Sequence, residues 1–120
     1  MFNIAFDAGA RLLRISLEGF WSKAAVEQFA KELEATIVGH RSGAIAGAII
    51  DARQLKIQSL DVVALLKDRL TALESRLPGR AALIVPIGLV RLQGQRVFPE
   101  TERFRIFATE EEGRAWVLEA

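Results

Sequence analysis

The chain has 120 residues, 51% of them hydrophobic, with 16 Lys and Arg against 15 Asp and Glu and no cysteine. That length and apolar fraction point to one domain, 1–120, able to bury a continuous core, and they exclude a disordered chain. A formal net charge of +1 without a basic stripe argues against nucleic acid as a partner, and the missing cysteines exclude disulfides, zinc–thiolate sites and thiol nucleophiles.

The N-terminal stretch "MFNIAFDAGARLL" carries an early Asp and no basic lead-in to an apolar run, so no signal peptide is expected. "FNIAF" and "RLLRISLEG", separated by the turn signal "DAGA" at 7–10, read as a β-hairpin. In its second arm Leu13, Ile15 and Leu17 alternate with Arg14, Ser16 and Glu18, the period of a strand with one wet face. A helix follows. Ser22 is its N-cap, Val26, Phe29, Leu33 and Ile37 are its buried stripe, and Gly39 is its stop. Phe20 and Trp21, at the junction, are expected to close the end of the core.

"GAIAGAII" at 43–50 has no polar side chain and no helical stripe, so it reads as a central strand covered on both faces and ending at Asp51. A loop at 52–58 then leads to a second helix, in which Val63, Leu66, Leu70, Leu73 and Leu77 step by three and four up to Pro78-Gly79. "AALIVP" is another buried strand. Residues 81–90 form the longest uncharged apolar stretch, too short to span a bilayer and interrupted by Pro86 and Gly88. Residues 88–97 read as a short helix, "RFRIFA" as a strand near the sheet edge, and "TEEEGRAWVLE" as a closing helix with Thr109 and Glu112 at capping-box spacing. The result is an α/β fold: an N-terminal β-hairpin, then alternating strands and helices, with a mostly parallel sheet of about five strands and four helices. The expected protein is soluble and cytoplasmic.

The residues offer no catalytic set, no metal motif and no cofactor loop. His40, the single histidine, lies in the loop before the third strand, at the end of the sheet opposite Ser59, so a Ser-His-Asp arrangement would have to bridge the sheet. The glycines of "GAIAGAII" lie inside a strand and not before a helix, which excludes a phosphate-binding loop. Glu110, Glu111 and Glu112 favour the positive end of the last helix dipole. Arg91, Arg96, Arg103 and Arg105 are a candidate basic patch, with Arg103 and Arg105 on the wet side of an edge strand.

Ser59 carries two readings. As an N-cap it stabilises the second helix by about 1 kcal/mol relative to alanine. As a switch, it would hold a phosphate at a helix N-terminus, where backbone N–H groups and the dipole favour anions. The carboxyl ends of the strands, where α/β sheets meet ligands and partners, gather Asp51, Arg53, Lys56, Gln58, Ser59 and Asp61 as a candidate partner surface.

"GAIIDARQLKIQSLDVVALL", together with the order of elements, resembles the STAS domains, the anti-sigma-factor-antagonist or SpoIIAA-like fold. On that register Asp51 matches the family's strand-end Asp, and Ile57, Gln58 and Ser59 match Ile, Asp and the phosphorylatable Ser. Leu60 stands where the family has a second Ser, and Asp61 where it has Gly. "GFWSKAAVEQFAKEL" and "RFRIFATEEEGRAWVLE" resemble a CRAL-TRIO-related branch of uncharacterised bacterial proteins with this fold. The resemblance implies a non-enzymatic module that docks a regulatory protein, switched at Ser59. Its CRAL-TRIO side implies an alternative, a small apolar ligand or lipid in a pocket with a lid made by Leu89, Val90, Leu92, Val97 and Phe98. Unpaired strand edges, in the hairpin or the last strand, leave room for a homodimer.

Overall fold

The computed structural model describes residues 1–86 and 100–119. Five strands form one sheet: β1 Phe2–Asp7, β2 Leu12–Gly19, β3 Gly47–Leu55, β4 Arg80–Ile84 and β5 Phe104–Phe107, in the order β1-β2-β3-β4-β5. Three helices are described: α1 Lys23–Gly39, α2 Leu60–Glu74 and α3 Glu110–Leu118. The helix expected at 88–97 and the lid residues Leu89, Val90, Leu92, Val97 and Phe98 lie outside the described residues, as do Arg91 and Arg96.

The sheet is mixed, which corrects the expectation of a mostly parallel one. A tight turn, in which Asp7 accepts the Ala10 N–H at 3.2 Å, can only join antiparallel strands, so β1 runs against β2. The pairings β2–β3, β3–β4 and β4–β5 are parallel. A parallel pair needs a crossover, and α1 supplies it between β2 and β3 and α2 between β3 and β4.

The two faces of the sheet are covered differently. On one, α1 and α2 lay Val26, Phe29, Leu33, Val62, Leu66 and Leu73 over Leu13, Ile15, Leu17, Ala48, Ile50 and Leu83. Ion pairs Arg69–Glu27 and Arg76–Glu34 tie these helices together at the surface. On the other, α3 packs Trp116 and Val117 against Leu12, Ile49, Ala82 and Ile84. It sits close because two positions lack a side chain. A Cβ on Gly47 would fall 2.5 Å from Val117 Cγ1, and one on Gly113 would fall 2.6 Å from Ile84 Cδ1.

Three boundaries differ from the sequence reading. The third strand begins at Gly47 and not at Gly43, since 43–46 form the approach to it. β3 does not end at Asp51 but runs to Leu55, because β2 also continues and pairs Glu18 with Gln54 and Gly19 with Leu55 after a bulge. The loop expected at 52–58 therefore shrinks to Lys56–Ser59. The second helix stops at Glu74 with Ser75 as its C-cap, so Leu77 packs from a turn and not from the helix. Among the described residues no helix is long and apolar enough to cross a membrane.

Candidate functional site

The candidate surface begins where β2 and β3 leave the sheet. Gly19 adopts φ +78°, a left-handed conformation that suits glycine, and this turns the chain sharply after β2. Its carbonyl accepts the Lys56 N–H at 3.1 Å and the Gln58 amide at 2.9 Å. Gln58 Oε1 accepts the Trp21 N–H at 2.8 Å, and its Nε2 also donates to Lys56 O. Gln58 is 7% exposed, so these bonds form away from water and hold the junction Gly19–Trp21 against the loop Lys56–Ser59. Gln58 thus reaches inward and is not on the outer face of the candidate partner surface.

That staple splits the aromatic pair. Trp21 is buried, packs on Phe2 and Phe29 with ring centroids 5.9 and 5.3 Å away, and donates its indole N–H to Glu18 O. Phe20 points out and is 78% exposed, against the expectation that it closes the core. Ile57 at 46% and Leu60 at 75% are exposed on the adjoining loop and first helical position. Three large apolar side chains thus stand in water on the two segments that Gln58 holds together, two of them flanking Ser59. Sequence reasoning missed them as a group, although Leu60 in place of a polar residue just after the cap was the available signal.

Ser59 is the N-cap of α2, with φ −65° and ψ 158°, and its hydroxyl accepts the Val62 N–H at 3.4 Å, a long bond. Ser59, Lys56 and Asp61 are all exposed, and Asp61 pairs loosely with Lys23 at 3.9 Å.

Asp51 and Arg53 belong to a different place. Both side chains lie on the α3 face of the sheet, where they meet Arg14 from β2 and Glu110 from the first turn of α3. Arg14 donates to Glu110 at 2.7 and 3.1 Å, to Asp51 at 3.1 Å and to Ser16 Oγ at 2.8 Å. Arg53 donates to Asp51 through its guanidinium at 2.8 and 2.9 Å and through its main chain at 3.1 Å. The Arg53 guanidinium holds the Asp51 carboxyl below its ordinary pKa, against a partial burial that pushes it up. The Arg14 guanidinium does the same for Glu110. The cluster is charge-balanced and saturated with hydrogen bonds, so its chemistry is that of a clamp on the start of α3.

His40, Arg103 and Arg105 are engaged within the fold. His40 caps α1, with Nδ1 2.7 Å from Thr36 O and its ring 4.4 Å from that of Phe6. Arg103 donates to Leu77 O and Gly79 O, and Arg105 lies over the Trp116 ring at 5.3 Å, so this part of the expected basic patch is used internally. Among the described residues no three His, Asp or Glu side chains gather as metal ligands would. A cavity of about 270 Å³ opens at the other end of the molecule, lined by Ile37, Leu70, Leu77, Ala81 and Phe104 and edged by Lys67 and Arg103.

No protein-family model and no curated protein matches the chain. Solved structures do. An uncharacterised protein of the DUF3478 family with a SpoIIAA-like fold, from Shewanella loihica, superposes with a TM-score of 0.69 at 22% identity, covering 97% of this chain and 93% of that one. The anti-sigma factor antagonist SpoIIAA in its unphosphorylated form gives 0.64 at 26% identity, over 98% and 97%. A Moorella thermoacetica RsbS with a serine-to-glutamate substitution gives 0.71 at 19% identity, over 98% and 94%.

Proposed function

For a chain with the SpoIIAA-like fold of the STAS superfamily, we propose a non-enzymatic regulatory module that docks a protein partner on the junction between β3 and α2. One observation carries this reading: Ile57 and Leu60, on either side of the capping Ser59, and Phe20, on the segment that Gln58 bonds to that loop, all expose large apolar side chains. Clustered apolar side chains rimmed by polar ones mark docking sites, because binding removes them from water. Here Lys56, Ser59 and Asp61 form the polar rim, while buried Gln58 keeps the two apolar segments in register. The structural likeness to an anti-sigma factor antagonist supports a protein as the partner.

The test is retention of a partner from the source organism by wild type, Leu60→Asp and Val38→Asp. Val38 is also exposed, at 68%, but lies at the far end of α1. Loss of the partner with Leu60→Asp alone supports the junction as the docking site. Equal retention by all three variants rejects it. Ser59 is the switch of this surface. A phosphate on its Oγ would bring a charge of about −1.5 to −2 to the centre of the apolar group and change partner affinity. Equal affinity for wild type, Ser59→Glu and Ser59→Ala would reduce Ser59 to a helix cap.

The cavity at the opposite end favours a second reading, a small apolar ligand held between α1, α2 and the sheet. Organic extraction of natively purified protein that yields a stoichiometric apolar compound would bring it forward. An empty extract would remove it.

A further inference from the structure

Among the described residues β1 is an unpaired edge of the sheet, and half of its main-chain groups turn outward. Met1 and Glu18 exchange two main-chain hydrogen bonds at 3.0 and 3.2 Å, and the register continues with Phe2 opposite Leu17. In an antiparallel pair such hydrogen-bonded positions recur at every second residue. Asn3, Ala5 and Asp7 therefore face β2 with their main chain. The N–H and C=O groups of Phe2, Ile4 and Phe6 face away from the sheet, and no other hydrogen bond of the described molecule reaches them. The side chains of the same three residues share one face, half-buried against the larger core.

Natural edges are blunted by charge, proline or a bulge. β1, "FNIAFD", has its only charge at its last residue and no proline, and the sheet's register shift lies between β2 and β3. The other edge, β5, is shorter and carries Arg105.

We infer that β1 pairs antiparallel with β1 of a second copy of this chain, with Ile4 on the two-fold axis, joining two five-stranded sheets into one. A two-fold axis perpendicular to the sheet makes the pairing antiparallel and keeps both apolar stripes on the same side. Centred on Ile4, the pairing sets Phe2 opposite Phe6 of the second copy and uses every outward main-chain group, about six hydrogen bonds. A slip of two residues in either direction strands one outward residue per copy and leaves about four. The centred register also keeps the two Asp7 carboxylates at opposite ends of the paired strands, so no like charges meet.

The chain has no cysteine, so an introduced one reports the register directly. A hydrogen-bonded antiparallel pair holds its Cα atoms about 5.5 Å apart, within the range a disulfide accepts. Ile4→Cys should give a disulfide-linked dimer on mild oxidation. Phe6→Cys should not, since it would lie about 14 Å from its counterpart, four residues along the strand. Sedimentation of the unmodified chain should show twice the 13.3 kDa monomer mass, and Ile4→Lys, which places two ammonium groups at the axis, should convert it to monomer with unchanged circular dichroism. A wild-type chain that stays monomeric at every concentration, a dimer that survives Ile4→Lys, or equal cross-linking at positions 4 and 6 would overturn the inference. Should Ile4→Lys fail to fold, the two cysteine variants decide alone.

Discussion

Asp51 and Ser59 belong to one short segment and serve opposite sides of the molecule. Asp51 turns to the α3 face, where two arginines and Glu110 neutralise it. Ser59 caps α2, which packs on the other face, and stands in water among exposed apolar side chains. The first arrangement is closed: every charge has its partner and the gain is the fixing of α3, a nine-residue helix too short to be stable alone. The second is open, because it leaves apolar surface that the fold itself does not cover. The difference separates what holds this chain together from what it leaves exposed. Gln58 is the hinge of the second, because it binds the junction from inside while its neighbours on either side face outward.

The largest effect is expected from breaking that hinge. Gln58→Ala leaves the Trp21 N–H without its acceptor and the Gly19 C=O without one of its donors, and should lower stability by about 2–3 kcal/mol in urea unfolding. A loss below about 0.5 kcal/mol, the range of an ordinary surface substitution, would show that water replaces the side chain freely.

Asp51→Asn should cost less, about 1–2 kcal/mol, because charge-assisted bonds are lost in a cluster whose arginines remain partly exposed. This variant also carries a pH signature. Both Asp51 and Glu110 titrate below their ordinary values when folded, so their contribution is complete above the usual carboxylate range, about pH 4. It is lost as pH falls through the folded values, since the unfolded chain takes up protons first. Wild type should therefore lose stability in acid more steeply than Asp51→Asn. Parallel pH curves would mean that the cluster does not couple to folding.

Ser59→Ala should be mildest, about 0.5–1 kcal/mol, because the capping bond is long. A loss well above that would assign Ser59 a larger structural part and weaken its reading as a switch.

Local signals were legible in the sequence. Ser22, Ser59 and Thr109 each cap the helix that follows them, because a cap depends on residues three positions away. The stripe of α1 and the alternation of β2 were readable for the same reason. Distant pairings were not. Arg14 meets Glu110 and Gln58 meets Trp21 across large sequence separations, and only the strand order brings them together. "ARQL", after Asp51, reads as a loop because it is largely polar. It is strand because β2 extends alongside it, and its charge is satisfied by the clamp under α3. Gln58 looked like a surface residue for the same reason: its acceptor and donors come from a turn formed elsewhere in the chain.

The most direct measurement of the central claim is site-specific photo-cross-linking in the source organism, with a photoreactive residue at position 60 in one strain and at position 38 in another. A discrete cross-linked protein from position 60 that is absent from position 38, and that fades when Ser59 is replaced by Glu, is the predicted result. No discrete product from position 60, or the same product from both positions, would contradict a docking surface at the β3–α2 junction.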